Sequence, residues 1–209
     1  MHKEEVPDWQ NTKPLGRLTC TSSDCKRGLH SFIHDFRGKK LDDAISYRSQ
    51  TCVDCGKQLI DWDRLDSHNI DDADYTTSML RMEAFRLGYW ERDIERKIVE
   101  SAKKKGLGML RQEAENRLRK YVNKCSNENP WDGRQTPLEG NIIYYSQHAT
   151  ATCCRKCIEA WHGINRNHPL SDEEIQYLVG LMMYYVEKKL PALAVEASDD
   201  INAKEKDKK

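Results

Sequence analysis

The residues best able to do chemistry lie in His148-Ala-Thr-Ala-Thr-Cys-Cys-Arg-Lys-Cys-Ile-Glu-Ala-Trp-His-Gly163, which holds Cys153, Cys154, Cys157, His148 and His162. Thiolate sulfur and neutral imidazole are zinc ligands, and four of these five side chains would close a tetrahedral site. Cys154-Arg-Lys-Cys157 is a C-x-x-C pair, and His162 follows after four residues, the start of a zinc knuckle. With His148 as fourth ligand, the expected set is His148, Cys154, Cys157 and His162. Cys153 is the alternative ligand, because Cys157 is four positions on and the two would share one face of a helix. An iron–sulfur centre on Cys153, Cys154 and Cys157 is a further reading, but it leaves the histidines unexplained.

A closed site of this kind is structural, whereas a catalytic zinc keeps one position open for water. Asp132, Gln147 and Glu159 are the candidate catalytic groups that could act on a metal-bound water. A metal-dependent hydrolase or nuclease is therefore the alternative to a structural module, and the sequence does not decide whether the chain is an enzyme.

A second ligand group lies upstream: Cys20 and Cys25, a spacer of 26 residues, then Cys52-Val-Asp-Cys55-Gly56. Two thiols three residues apart can face one ion, and Gly56 permits the tight turn beneath it. Cys20, Cys25, Cys52 and Cys55 are the expected ligands of an N-terminal zinc ribbon or treble-clef-like finger. His30 and His34 are spare candidates. Trp62 and Leu65 are expected to lid this site, and Trp161 to shield the other.

The elements that must position these groups read as helices. From Asp74 to Val122, apolar residues recur at helical spacing: Leu80, Ala84 and Leu87, then Trp90, Ile94, Ile98 and Ala102, then Leu110, Ala114, Leu118, Tyr121 and Val122. Lys103-Lys-Lys-Gly106 reads as a helix end, with cations where the dipole favours them. Ser171-Asp-Glu-Glu174 is a capping box opening a helix to about Leu190, with Ile175, Leu178, Val179, Met182 and Val186 buried. The expected fold class is mainly α with small zinc-finger-like β elements. Its units are an extended arm (1–17), a four-cysteine finger (18–70), a basic helical block (71–128), a Cys/His metal-site domain with a C-terminal helix (129–190) and a disordered tail (191–209).

Charge narrows the partners. The whole chain of 209 residues is neutral, with 34 basic and 34 acidic residues. Residues 76–128 carry 13 basic and 8 acidic side chains, a local +5. Lys103, Lys104, Lys105, Arg111, Arg117 and Lys120 could neutralise phosphates there. The irregular loop ahead of the central motif offers Asp132, Arg134 and Gln135 to a ligand, or uses them to hold itself shut. No apolar run approaches the length of a membrane span, and no secretory signal is evident. A cytoplasmic setting with reduced thiols follows, in which paired cysteines read as metal sites. Two zinc ions, nucleic acid or a protein partner, and no membrane are the expected associations.

The run Tyr144-Tyr-Ser-Gln-His-Ala-Thr-Ala-Thr-Cys-Cys-Arg-Lys-Cys-Ile-Glu-Ala-Trp-His-Gly-Ile164, with Leu170-Ser-Asp-Glu-Glu-Ile175 after it, resembles a bacterial and phage family known as domain of unknown function four-one-eight-six. The likeness extends upstream through Asp132-Gly-Arg-Gln-Thr-Pro-Leu-Glu-Gly140, and in longer members to the N-terminal cysteine pairs and Asp61-Trp62. The resemblance implies no activity. It marks the ligand-rich run as the family's defining feature.

Overall fold

A computed structural model describes residues 18–36, 46–125 and 133–193. The expected N-terminal arm, Asp132 and residues 194–209 of the expected tail lie outside the described residues.

Periodic apolar spacing becomes seven α-helices among those residues: α1 (Trp62–Asp66), α2 (Ala73–Leu80), α3 (Ala84–Glu91), α4 (Arg96–Arg117), α5 (Ile142–Ala149), α6 (Arg155–His162) and α7 (Asp172–Lys189). The molecule is mainly helical, and among the described residues the expected β elements reduce to two isolated antiparallel bridges, Asp24 with Leu29 and Ile33 with Arg48. Helix boundaries differ from the sequence expectation in two places. Trp90 lies in the last turn of α3, and the extended Arg92 separates that helix from α4, so Trp90 and Ile98 lie on different helices. Gly106 adopts φ 68° and ψ 168°, yet the chain resumes its helix directly, so the lysine run marks a kink within α4. A residue without Cβ takes that conformation at little cost, and Ala102 and Leu110 on either side are both buried in one core.

Two apolar clusters divide the interior. The larger one joins α4, α5 and α7, with Ile98, Leu118, Ile143, Ile158, Leu178 and Met182 among its buried members. Helix α7 starts as its sequence predicts: Ser171 Oγ accepts from Glu174 N, and Glu174 Oε2 accepts from Ser171 N, at 3.1 and 2.8 Å. The five side chains expected on its buried face are all fully buried.

The smaller cluster holds the chemistry. Phe32, Trp62 and Trp161 meet ring to ring, with centroids 5.7–5.8 Å apart. Cys52, Cys153, Cys154 and Cys157 are buried around them. The two tryptophans expected to lid separate sites thus share one apolar layer. Clamps tie the N-terminal segment to this layer. Arg48 forms a bidentate pair with Asp66 at 2.6 and 2.7 Å and donates to Ala160 O at 2.9 Å. Gly163, which ends α6 at φ 65°, lies so close to this pair that a Cβ there would stand 2.7 Å from Asp66 Oδ1.

Candidate metal centres

The first cluster is Cys25, His30, Cys52 and Cys55. Cys25 Sγ lies 3.6 Å from Cys52 Sγ. Cys55 Sγ lies 3.5 Å from His30 Nδ1. Zinc–sulfur bonds of about 2.3 Å and zinc–nitrogen bonds of about 2.0–2.1 Å, set tetrahedrally, separate ligand atoms by about 3.5–3.8 Å. These side chains are therefore spaced as ligands of one ion. Backbone geometry accounts for the arrangement. Gly56, at φ 71°, donates its N–H to Cys52 O at 2.9 Å and closes the C-x-x-C turn. His30 is pinned by its own N–H on Met82 O at 2.8 Å, which brings the imidazole under the knuckle. Burial works against charge on Cys52, but the N–H groups of Cys55, Asp54 and Ser31 prevail and bring its thiol down to about 6. A backbone that favours thiolate is prepared for a cation.

The cluster uses His30 and not Cys20. Cys20 packs instead against the apolar cluster that contains Cys153, Cys154 and Cys157, outside the group of three sulfurs that lie within 4.8 Å of one another. The expected four-cysteine finger is therefore, as assembled, a three-cysteine, one-histidine group.

The second cluster is Cys153, Cys154 and Cys157, all buried, with sulfurs within 4.8 Å of one another. A tight turn delivers them. Ala151 adopts φ 56°, a left-handed conformation that costs a residue with a Cβ roughly 1–2 kcal/mol. Polar neighbours hold it there: Thr152 N donates to Gln147 O at 2.9 Å, Gln147 Nε2 to Thr152 O at 3.2 Å, and Thr150 Oγ1 to Ser146 O at 2.7 Å. The alternating Ala-Thr-Ala-Thr run is thus a turn device, small where the core is tight and hydroxylated where the backbone needs partners. Cys154 then caps α6 in extended conformation, and Cys157 follows on its first turn.

Arg86 faces these sulfurs. It is wholly buried, with Nη2 3.0 Å from Cys157 Sγ and Nη1 3.8 Å from Cys153 Sγ. Nη1 also donates to His148 O at 2.8 Å, and Nε lies 3.3 Å from Glu83 Oε2. Burial raises Glu83 to about 8 against the pull of Arg86. The guanidinium is thus directed toward sulfur as much as toward its own carboxylate. Cys157 lies well below the usual thiol range because the Cys153 and Cys154 thiols hydrogen-bond to it.

His148 and His162 belong to neither cluster. His148 Nε2 is 3.1 Å from Pro137 O, and its ring stacks on Tyr89 with centroids 4.9 Å apart. His162 Nε2 is 3.0 Å from Thr150 O. Both Nδ1 atoms are buried without partners, so protonation would strand a charged N–H. Burial accordingly lowers His148 to about 4 and His162 to about 3. Both imidazoles are expected to remain neutral, with the proton on Nε2, at pH 5. Nitrogen NMR shifts of the rings check this, and charging of either ring by that pH would contradict it. Their folded values are depressed, so their stabilisation is complete above the ordinary histidine value of about 6.5 and is lost as pH falls toward 3–4.

The remaining candidates are engaged elsewhere. Glu159 accepts from Arg166 Nη1 at 2.7 and 2.9 Å and from Tyr47 N at 3.1 Å. Gln147 Oε1 accepts from Arg117 Nε at 3.3 Å. Gln135 Oε1 accepts from the backbone N–H groups of Gly133 and Arg134 at 2.7 and 3.1 Å, which closes the loop upon itself. The loop does wall the second cluster, because Thr136 Oγ1 donates to Cys153 O at 2.9 Å. Arg134 is exposed.

Sequence reasoning missed Arg86. The available signal was Glu83-Ala-Phe-Arg86, an ion pair at i,i+3 in an otherwise apolar turn.

A helical chain whose described residues form two clusters that could each hold a metal ion, one of three cysteines and a histidine and one of three cysteines, is the class that this geometry defines. The chain belongs to the family described as domain of unknown function DUF4186, whose family model matches residues 74–187. No solved structure matches it. The family match contains Arg86, Cys153, Cys154 and Cys157 but none of the first cluster. No described helix is long and apolar enough to cross a membrane.

Proposed function

We propose that this chain is a zinc-stabilised binding module, in which each cluster holds one structural zinc and the basic surface of α4 contacts nucleic acid. The observation that carries the zinc reading is the first cluster, whose 3.5 and 3.6 Å ligand separations match the edges of a tetrahedron around one zinc ion. For the second cluster, sulfurs within 4.8 Å of one another favour a single ion over an iron–sulfur cube, which holds each cysteine on a different iron. Glu159 is neutralised by Arg166, and Gln147 is held by Arg117 and Thr152, so neither is free to act on a metal-bound water.

The basic surface is narrower than composition suggests. Lys105 pairs with Glu113 at 2.6 Å, and Arg117 lies over Tyr121 and Tyr144 while donating to Gln135 O. Lys103, Lys104, Arg111 and Lys120 remain exposed on α4 and the turn that follows it. The ring of Tyr121, 44% exposed, lies 5.3 Å from Lys120 Nζ and offers a stacking face beside those charges. Fluorescence anisotropy with single- and double-stranded DNA and RNA tests this. Binding is expected at low salt, weakening as salt rises, and reversal of Lys103, Lys104 and Arg111 to glutamate should weaken it about tenfold or more. Failure to bind any of these probes at low ionic strength would remove the nucleic-acid part of the reading.

A further inference from the structure

We infer that Cys20 is the fourth ligand of the second metal centre, making it a closed four-cysteine site assembled from two distant parts of the chain. The inference rests on the zinc reading above and specifies its second site.

Three observations converge on it. The first cluster already has four ligand atoms without Cys20. Cys20 packs against the apolar cluster that contains Cys153, Cys154 and Cys157, just outside the group of three sulfurs that lie within 4.8 Å of one another, so a small closure would bring it onto a shared ion. A zinc bound by Cys153, Cys154 and Cys157 alone would keep one coordination position, and Cys20 packs against the cluster that holds them. Cys20 and Cys25 therefore split between two ions, although their spacing suggests a pair. The short segment between them, whose Ser22 and Asp24 N–H groups donate to Thr19 O and Leu29 O on either side, bridges the two centres.

The charges suit such a site. Four thiolates on a divalent ion carry a net charge of −2, which is costly to bury without compensation. Arg86 supplies a buried positive charge, with N–H groups directed at two of the sulfurs, at 3.0 and 3.8 Å. No position remains for substrate or water, so the centre staples. The family-matched region, residues 74–187, then supplies three ligands, and the segment upstream of that match supplies the last.

Cobalt(II) titration of the full chain tests the assignment, because thiolate-to-cobalt charge-transfer absorption scales with the number of thiolate ligands and the d–d bands report sulfur count. Wild-type protein is expected to bind two cobalt ions. Cys20→Ser should bind the second at least about tenfold more weakly, by comparison with losses typical even of outer-sphere partners. It should also lower the charge-transfer intensity and shift the d–d bands to shorter wavelength. Cys20→His keeps a fourth ligand and should restore affinity while leaving the band shift, which guards against a simple folding defect. Wild-type intensity and second-site affinity in Cys20→Ser, or an unchanged spectrum in Cys20→His, would overturn the assignment while leaving two zinc ions in place. Failure of the wild type to bind either cobalt or zinc would overturn the zinc reading itself and the assignment with it.

Discussion

Replacing Arg86 with methionine is expected to destabilise the protein by about 3–5 kcal/mol, the usual cost of removing one partner from a buried ion pair. The side chain is 0% exposed and serves Glu83, the His148 carbonyl and two cysteine sulfurs at once. Methionine fills much of the volume but supplies no N–H, leaving the carbonyl and the sulfurs without their donor. Lysine should recover little of the loss, because a single ammonium cannot reproduce the fork. Adding Glu83→Gln to the methionine variant should recover part of the stability, since the stranded carboxylate is then gone. Urea denaturation of the four proteins checks these expectations. A loss below about 1 kcal/mol for Arg86→Met would mean that the guanidinium does not organise this centre.

Metal removal has the largest expected effect. Structural zinc contributes on the order of 10–16 kcal/mol of apparent binding energy in isolated finger peptides. Even a third of that, lost from a chain of this size at about 2–4 °C per kcal/mol, lowers the melting temperature by about 7–20 °C. The loss should be uneven. Residues 18–36 and 46–60 contain no α-helix, one short 3-10 turn and two isolated bridges, so the ligands, the Phe32–Trp62–Trp161 layer and the Tyr47 and Arg48 clamps must order them. Hydrogen exchange after chelation is expected to show those segments opening first, while α4, α5 and α7 retain protection through their own apolar core. Uniform protection before and after chelation would contradict the metal-stapled account.

Much of this organisation was legible in the sequence. The Cys153–Cys157 run, the Cys52–Cys55 knuckle, the capping box of α7 and its buried face depend on residues within a few positions of one another, and local spacing suffices for them. Partnerships between remote segments were not legible. Cys20 and Cys25 are close in sequence, and nothing in their spacing reveals that one packs against the cluster of Cys153, Cys154 and Cys157 while His30 joins the other. His148 and His162 lie near the cysteines in sequence, but each satisfies a backbone carbonyl in a dense core, a use that residue type alone does not distinguish from metal binding. Gly106 fails as a helix stop because packing of Ala102 and Leu110 on either side of the kink outweighs the local preference. Of the residues proposed for an anion surface, Lys105 and Arg117 have acquired protein partners that composition could not assign.

Zinc analysis combined with X-ray absorption at the zinc edge, performed on protein purified without added metal, tests the central claim most directly. Two zinc ions per chain are expected, with coordination shells that together contain seven sulfurs and one nitrogen, from Cys25, His30, Cys52 and Cys55 on one ion and Cys20, Cys153, Cys154 and Cys157 on the other. A chain carrying no zinc, a single ion, iron in place of zinc, or a shell rich in oxygen would contradict it.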